Sequence, residues 1–226
     1  MQYKLRDGLS FCFVDGHPIF LDVSGDRYFM LPTLMERAFA AYIDGRESSA
    51  ATLRTLLERE ILVPAEHFGR SRQTPPLEVV TLSATEERTQ DKHVPARAYV
   101  EVLATVLKIR RSLRKGGLYE LLNDLAIRRK RKASPAGASS HESIETSILA
   151  ATNQFCNARK WVPVGNTCLL DSLSLATYLA NRHLPADLVF GVTLSPFAAH
   201  CWVQFRHIVL NETVTGATAH TPILVW

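Results

Sequence analysis

A chain of 226 residues with 46% hydrophobic content suffices for one large or two small domains and can bury a real core. No apolar run approaches the roughly 18–20 residues that span a bilayer, and the start "MQYKLRDGLSFCFVDG" lacks a secretory layout, so a soluble, cytoplasmic protein without a membrane partner is expected. The net charge of +4 is modest but uneven: from Lys92 to Lys132 there are twelve Lys or Arg against three acidic residues.

Residues 10–31 read as a β-meander. "SFCFV", "PIFLDV" and "RYFML" are separated by Asp15-Gly16 and by Ser24-Gly25-Asp26, both turn signals because they tolerate positive φ. Thr33 and Glu36 are spaced as a capping box before "LMERAFAAYIDG", and Gly45 is placed to end that helix. "SSAATLRTLLERE" predicts a second helix with Leu53, Leu56 and Leu57 on one face, and "ILVP" a short extended piece. Residues 1–75 therefore predict a small unit of three strands and then helices, winged-helix-like in outline.

The polar, Pro-containing stretch that follows is expected to be a linker, over residues 76–92. From residue 93 the pattern turns helical. "ARAYVEVLATVLKIRRSL" spaces Val100, Leu103, Val106 or Leu107, and Ile109 or Arg110 as a helix face; Gly116-Gly117 breaks it, and "LYELLNDLAIRRK" resumes. Ser139 and Glu142 suggest a cap for a helix running to about Arg159. Another helix is expected from Asn166 or Thr167 to about Arg182, with Leu169, Leu173 and Ala176 in its buried stripe. "ADLVFGVTL", "HCWVQFRHIVLN" and "PILVW" read as strands. Residues 93–226 thus predict a second domain of helices packed on an antiparallel sheet, and the fold class is α+β.

Two basic clusters, "KIRRSLRK" at 108–115 and "RRKRK" at 128–132, raise the question of nucleic acid. No aromatics are interleaved with the charges and no nucleic-acid motif is present, so a solvated helix face is preferred. A docking face for an acidic peptide or protein is the third reading.

Cys12, Cys156, Cys168 and Cys201 show no CxxC pair and no zinc spacing, so neither a metal nor a disulfide is expected. Cys168 is distinct because it opens a helix, where the dipole and unpaired N–H groups favour a thiolate. A lone cysteine is more often core than nucleophile. His200, in a strand that can pack beside the helix, supplies a base, and Glu212 or Asn211 could orient its ring. Asp171 would oppose the thiolate and is not favoured. Cys201 must face away from His200 and is assigned to packing.

The run "CLLDSLSLATYLANRHLPADLVFGV…PFAAHCWVQF…VLNE…TPILVW" resembles the C-terminal half of lasso-peptide B proteins, the leader peptidases of lasso-peptide (RiPP) biosynthesis. These are transglutaminase-like, papain-type cysteine proteases. The resemblance spans about 95–226 and is dense from 161 onward. It implies Cys168 as nucleophile, His200 as general base, and Glu212 where the family usually has Asp. Trp161 and Asn166, just upstream, are candidate oxyanion donors. "DVSGDRYFMLP" resembles the PqqD-like precursor-recognition element of the same systems. That implies a leader peptide added as a strand along Arg27, Tyr28, Phe29 and Met30, with Leu53, Arg54 and Leu57 lining the groove.

The implied function is a cysteine endopeptidase that removes the leader of a ribosomally made precursor before macrolactam cyclisation. Its partners would be the lasso precursor and an asparagine-synthetase-like cyclase. No cofactor is implied, and the absence of a GxxxxGK[ST] loop assigns any nucleotide effect to the cyclase. The alternatives are an acyl transferase using the same Cys–His pair, or a non-catalytic peptide- or nucleic-acid-binding protein.

Overall fold

A computed structural model describes residues 3–46, 50–65, 77–86, 94–132 and 141–226. The meander forms as β2 (Leu9–Val14), β3 (His17–Asp22) and β4 (Arg27–Met30), an antiparallel sheet in the order β2-β3-β4. Its first turn holds Asp15 at φ 51 and Gly16 at φ 84, the conformation that the Asp-Gly pair favours. In the second, Asp22 accepts the Gly25 N–H at 3.0 Å and pairs with Arg6 at 3.0 Å. A separate pair, β1 (Tyr3–Leu5) with β5 (Leu62–Pro64), closes the unit around α1 (Thr33–Ile43) and α2 (Ala50–Glu58).

The expected capping box does not form. Thr33 is already helical, Pro32 takes the cap position without a side-chain bond, and Glu36 instead accepts from His17 Nδ1 at 2.9 Å. Proline before the first turn presets φ and leaves no role for a hydroxyl cap. Gly45, at φ 69, ends α1 as expected. Ser139 of the second expected cap lies outside the described residues.

In the larger part of the chain α3 (Ala96–Lys115), α4 (Leu118–Lys132) and α5 (His141–Arg159) pack around α6 (Cys168–Ala180), which lies on a five-stranded sheet. Its strands are β6 (Leu82–Ser83), β7 (Asp187–Leu194), β8 (Phe197–Phe205), β9 (Ile208–Val209) and β10 (Thr221–Val225), in the order β10-β7-β8-β9-β6. A short helix, α7 (Val214–Thr218), joins β9 to β10. The sheet is antiparallel except that β6 runs parallel to β9.

That exception corrects the expected linker. Residues 77–86 carry the sheet's edge strand, with Val80 and Ser83 buried, while 87–92 lie outside the described residues. The face of α3 is also corrected. Ala98, Val102, Val106 and Ile109 are buried, whereas Val100, Leu103 and Leu107 are exposed. Several overlapping stripes have acceptable helical spacing in that sequence, and packing selects one of them.

The two cores are not independent. Phe20, Phe29, Phe39, Leu56 and Leu62 fill the smaller one, but Ile19, Leu21 and Val23 point through the opposite face of the meander into the larger. Strand alternation sends successive side chains of β3 to different cores, so this sheet is a shared wall. No described helix is long and apolar enough to cross a membrane.

Candidate active site

The loop before α6 is organised by one buried arginine. Arg159, 7% exposed at the end of α5, reaches the carbonyls of Val162 (3.4 Å), Val164 (3.1 Å) and Gly165 (3.3 Å) and bonds Asp171 Oδ1 at 2.7 Å. Four acceptors on one rigid fork fix the chain entering the helix. Asp171 is thereby occupied, although burial outweighs Arg159 and leaves its carboxyl harder to ionise than usual. Thr167 then caps α6, its Oγ1 accepting the Leu170 N–H at 3.4 Å.

Cys168 is the first residue of α6, and it is exposed. The neighbouring His200 imidazole is the main reason that its pKa is lowered; burial opposes this, and the charge of His200 and the N–H groups of Cys201 and Leu169 add to it. The Leu169 N–H is one of the free donors of a helix first turn. The other three cysteines contrast with it: burial raises the pKa of Cys12 to about 11, Cys201 is raised further, and Cys156 is half-buried.

His200 sits in the middle of β8, opposite Gly191 of β7. Its Nε2–H donates to Glu212 Oε2 at 2.7 Å, so Nδ1 is the nitrogen left for the thiol. Cys168 is the largest influence raising its pKa; burial opposes, and Glu212 reinforces the rise. The ring neighbours Trp202 (centroids 6.2 Å, 24°) and His220 (5.1 Å, 33°). A Cβ on Gly191 would come within 2.7 Å of Trp202 and 2.9 Å of His220, so glycine is required behind the imidazole.

Glu212 is held at both oxygens. Oε1 accepts the Thr213 N–H at 2.8 Å while Oε2 takes His200. Burial works against the carboxylate, but Thr213 and His200 together keep its pKa below the usual value. A Cβ on Gly216 would lie 2.7 Å from Oε1, so α7 also fits closely against this side chain.

Asn211 is committed elsewhere. Its Oδ1 accepts the Val203 N–H and its Nδ2 donates to Ser172 Oγ, each at 2.8 Å, and Ser172 in turn donates to the Cys201 carbonyl at 2.8 Å. This chain bolts α6 to β8 and so sets the spacing of Cys168 and His200. Sequence reading missed Ser172, Arg159 and His220. The first two are polar residues inside apolar helical patterns, a signal that was available; His220 carried none.

The other expected site residues lie at varied positions. Trp161, 77% exposed, and Asn166 are both on the loop surface before α6. Arg27, Tyr28, Phe29 and Met30 form β4, which pairs only with β3 among the described residues and leaves its other edge open. Leu53 and Leu57 pack into the smaller core, while Arg54 is exposed. In the basic clusters Lys108, Arg111, Arg114 and Lys115 are exposed, but Arg129 turns inward and donates to the carbonyls of Ala186 and Trp226. Among the described residues no cluster of metal-ligating side chains occurs.

A helix-start thiol, an imidazole on the neighbouring strand and a carboxylate behind it form an arrangement suited to acyl transfer through a thioester. Residues 103–225 match the family model described as the transglutaminase-like superfamily, which is more than half of the chain. The protein belongs to that superfamily, which includes cysteine proteases and acyltransferases. Comparison with curated proteins and with solved structures finds no match.

Proposed function

We propose that the protein is a cysteine endopeptidase that removes the leader of a ribosomally made precursor peptide, as lasso-peptide B proteins do. The observation that carries the peptidase reading is the group Cys168, His200 and Glu212, in which Glu212 holds His200 at 2.7 Å and His200 lowers the pKa of an exposed thiol, while the other three cysteines are withdrawn. The lasso assignment rests on the sequence resemblance from 161 onward.

In this reading the Cys168 thiolate attacks the scissile carbonyl carbon, and the Nδ1–H of the His200 imidazolium protonates the departing amine as the C–N bond breaks. Water, deprotonated by His200, then attacks the thioester; the C–S bond breaks and the thiolate returns beside the imidazolium. Glu212 keeps the proton of Nε2 in place throughout. The Cys168 N–H, free at the helix start, and the side chain of Trp161 or Asn166 are the oxyanion donors proposed.

The N-terminal unit, winged-helix-like and PqqD-like in its sequence, would take the leader along the open edge of β4. A cyclase would use the newly freed amine. Tethering the leader raises the local concentration of the scissile bond and relaxes the demand on cleft specificity.

The test is mass spectrometry of the precursor peptide incubated with the protein, with and without cyclase, beside Cys168→Ala. One cut at the leader–core junction, lost in the variant, is expected. An amine-linked rather than hydrolysed product would replace the peptidase by an acyl transferase, and leader binding without any cut would leave only the recognition role.

A further inference from the structure

Strand β4 divides its side chains between two environments. Phe29 stacks on Phe20 (5.1 Å, 12°) in the smaller core, and Tyr28 turns the other way onto the larger core. There its ring meets Phe197 edge-on, with centroids 5.8 Å apart at 62°. Phe197 begins β8, three positions before His200, and remains 51% exposed despite being aromatic.

Counting by twos along β8, Phe197, Ala199 and Cys201 face the α6 side of the sheet, where Cys201 is buried and its carbonyl accepts from the Ser172 hydroxyl of α6 at 2.8 Å. Ala198 and Ala199 are exposed. Among the described residues Phe197–Ala199 pair with β7 on one side and with no strand on the other. Tyr28 and Phe197 thus wall an exposed surface that includes Ala199 and an unpaired backbone edge, on the strand that carries His200. Burial raises the Tyr28 pKa most, and the charges of Cys201 and Cys168 raise it further, so the phenol lies within electrostatic reach of the thiol.

We infer that Tyr28 and Phe197 together form an apolar subsite beside Cys168, which holds an aromatic or branched aliphatic side chain of the peptide substrate next to the scissile bond. The inference rests on the peptidase reading and deepens it. The N-terminal sheet then contributes a specificity-determining residue to the cleft, besides the edge on which a leader would dock. Phe197 lines the pocket from the catalytic sheet, and Tyr28 fixes the angle of its ring.

The test uses the full chain and needs no knowledge of the precursor. Intact-mass kinetics follow modification of Cys168 by iodoacetamide, which is too small to use a subsite. They also follow its modification by peptidyl vinyl sulfones carrying Leu, Phe or Gly at either of the two positions nearest the electrophile. Normalised to iodoacetamide, the wild type should prefer Leu or Phe to Gly by roughly tenfold or more at one position, the return from covering one large apolar side chain. Tyr28→Ala and Phe197→Ala should each erase most of that preference, Tyr28→Phe should restore it, and the double alanine variant should lose little more than either single one. Phe197 is half exposed, so Phe197→Ala still reports if Tyr28→Ala unfolds. An undiminished preference in the alanine variants, or equal loss on Leu and Gly probes, would overturn the subsite while leaving the peptidase reading intact. A Cys168 no more reactive than free cysteine would overturn both.

Discussion

Glu212 Oε2 lies 2.7 Å from His200 Nε2, and the other oxygen of the same carboxylate is fixed at 2.8 Å by the Thr213 N–H. A carboxylate held at both ends defines the tautomer of the ring it faces, since only a protonated Nε2 can donate to it. The longer glutamate side chain is accommodated because Gly216 leaves room for Oε1.

Glu212→Gln should therefore slow reaction of Cys168 by about 100-fold, the scale of a misplaced general base, because an amide can present its N–H to Nε2 and favour the other tautomer. Glu212→Asp retains the charge but is one methylene shorter, and should lose about tenfold, towards the lower end of the scale for positioning errors. Alkylation kinetics on folded variants, with circular dichroism as the folding control, measure both effects.

The pH profile of peptide cleavage should be bell-shaped. The Cys168 pKa is lowered, so the acid limb falls below the usual thiol value of 9.0; the His200 pKa is raised, so the alkaline limb lies above the usual imidazole value of 6.5. The reacting form is the thiolate–imidazolium pair, and the two apparent constants belong to the pair. Cys168→Ser, which lacks a thiolate, should abolish cleavage across the whole window. A profile still rising beyond pH 9 would mean that an unpaired thiol is the reacting species.

Arg159 predicts a stability effect with a functional signature. Arg159→Ala leaves Asp171 partly buried without its partner and frees the carbonyls of Val162, Val164 and Gly165. Breaking such a pair costs about 3–5 kcal/mol, read from urea unfolding. Arg159→Ala with Asp171→Ala should recover part of that loss, since the carboxyl left without its partner is gone. Cys168 alkylation should stay slow in the double variant, because the loop into α6 is still released.

Arg129 tests the basic segment. Its guanidinium joins α4 to the start of β7 and the end of β10 through the Ala186 and Trp226 carbonyls, the latter at 2.7 Å. Arg129→Ala should cost about 1.5–3 kcal/mol, the range for hydrogen bonds from a charged donor. Arg111→Ala and Arg114→Ala, at exposed positions, should stay within about 0.5 kcal/mol of wild type in the same unfolding experiment. Weak, non-saturating binding to duplex DNA at physiological salt is expected of all three.

Local signals made much of this protein legible. Asp15-Gly16 specified a tight turn, Gly45 a helix end and Gly116-Gly117 a break between helices, because positive φ is a property of single residues. The start of α6 was legible for the same reason, since Thr167 is a good cap and the apolar stripe begins directly after it. Thr33 misled because Pro32 provided a competing start one residue earlier. The exposed stripe of α3 misled because helical spacing tells which residues share a face, and only a packed neighbour tells which face is covered.

The amino-acid sequence by itself determined most of the elements, though not β1, β6 or α7, together with the thiol at a helix mouth and the histidine in a strand, all consequences of short-range backbone preference and hydrophobic period. Tertiary structure decided which groups meet. It bonded Glu212 rather than Asn211 to His200, spent Asn211 on Ser172 and Val203, wove residues 77–86 into the sheet and turned Tyr28 toward Phe197. Those choices depend on strand register and on contacts between residues from 8 to more than a hundred positions apart. Neither is encoded in any local window, because each becomes fixed only when the competing partners are packed together.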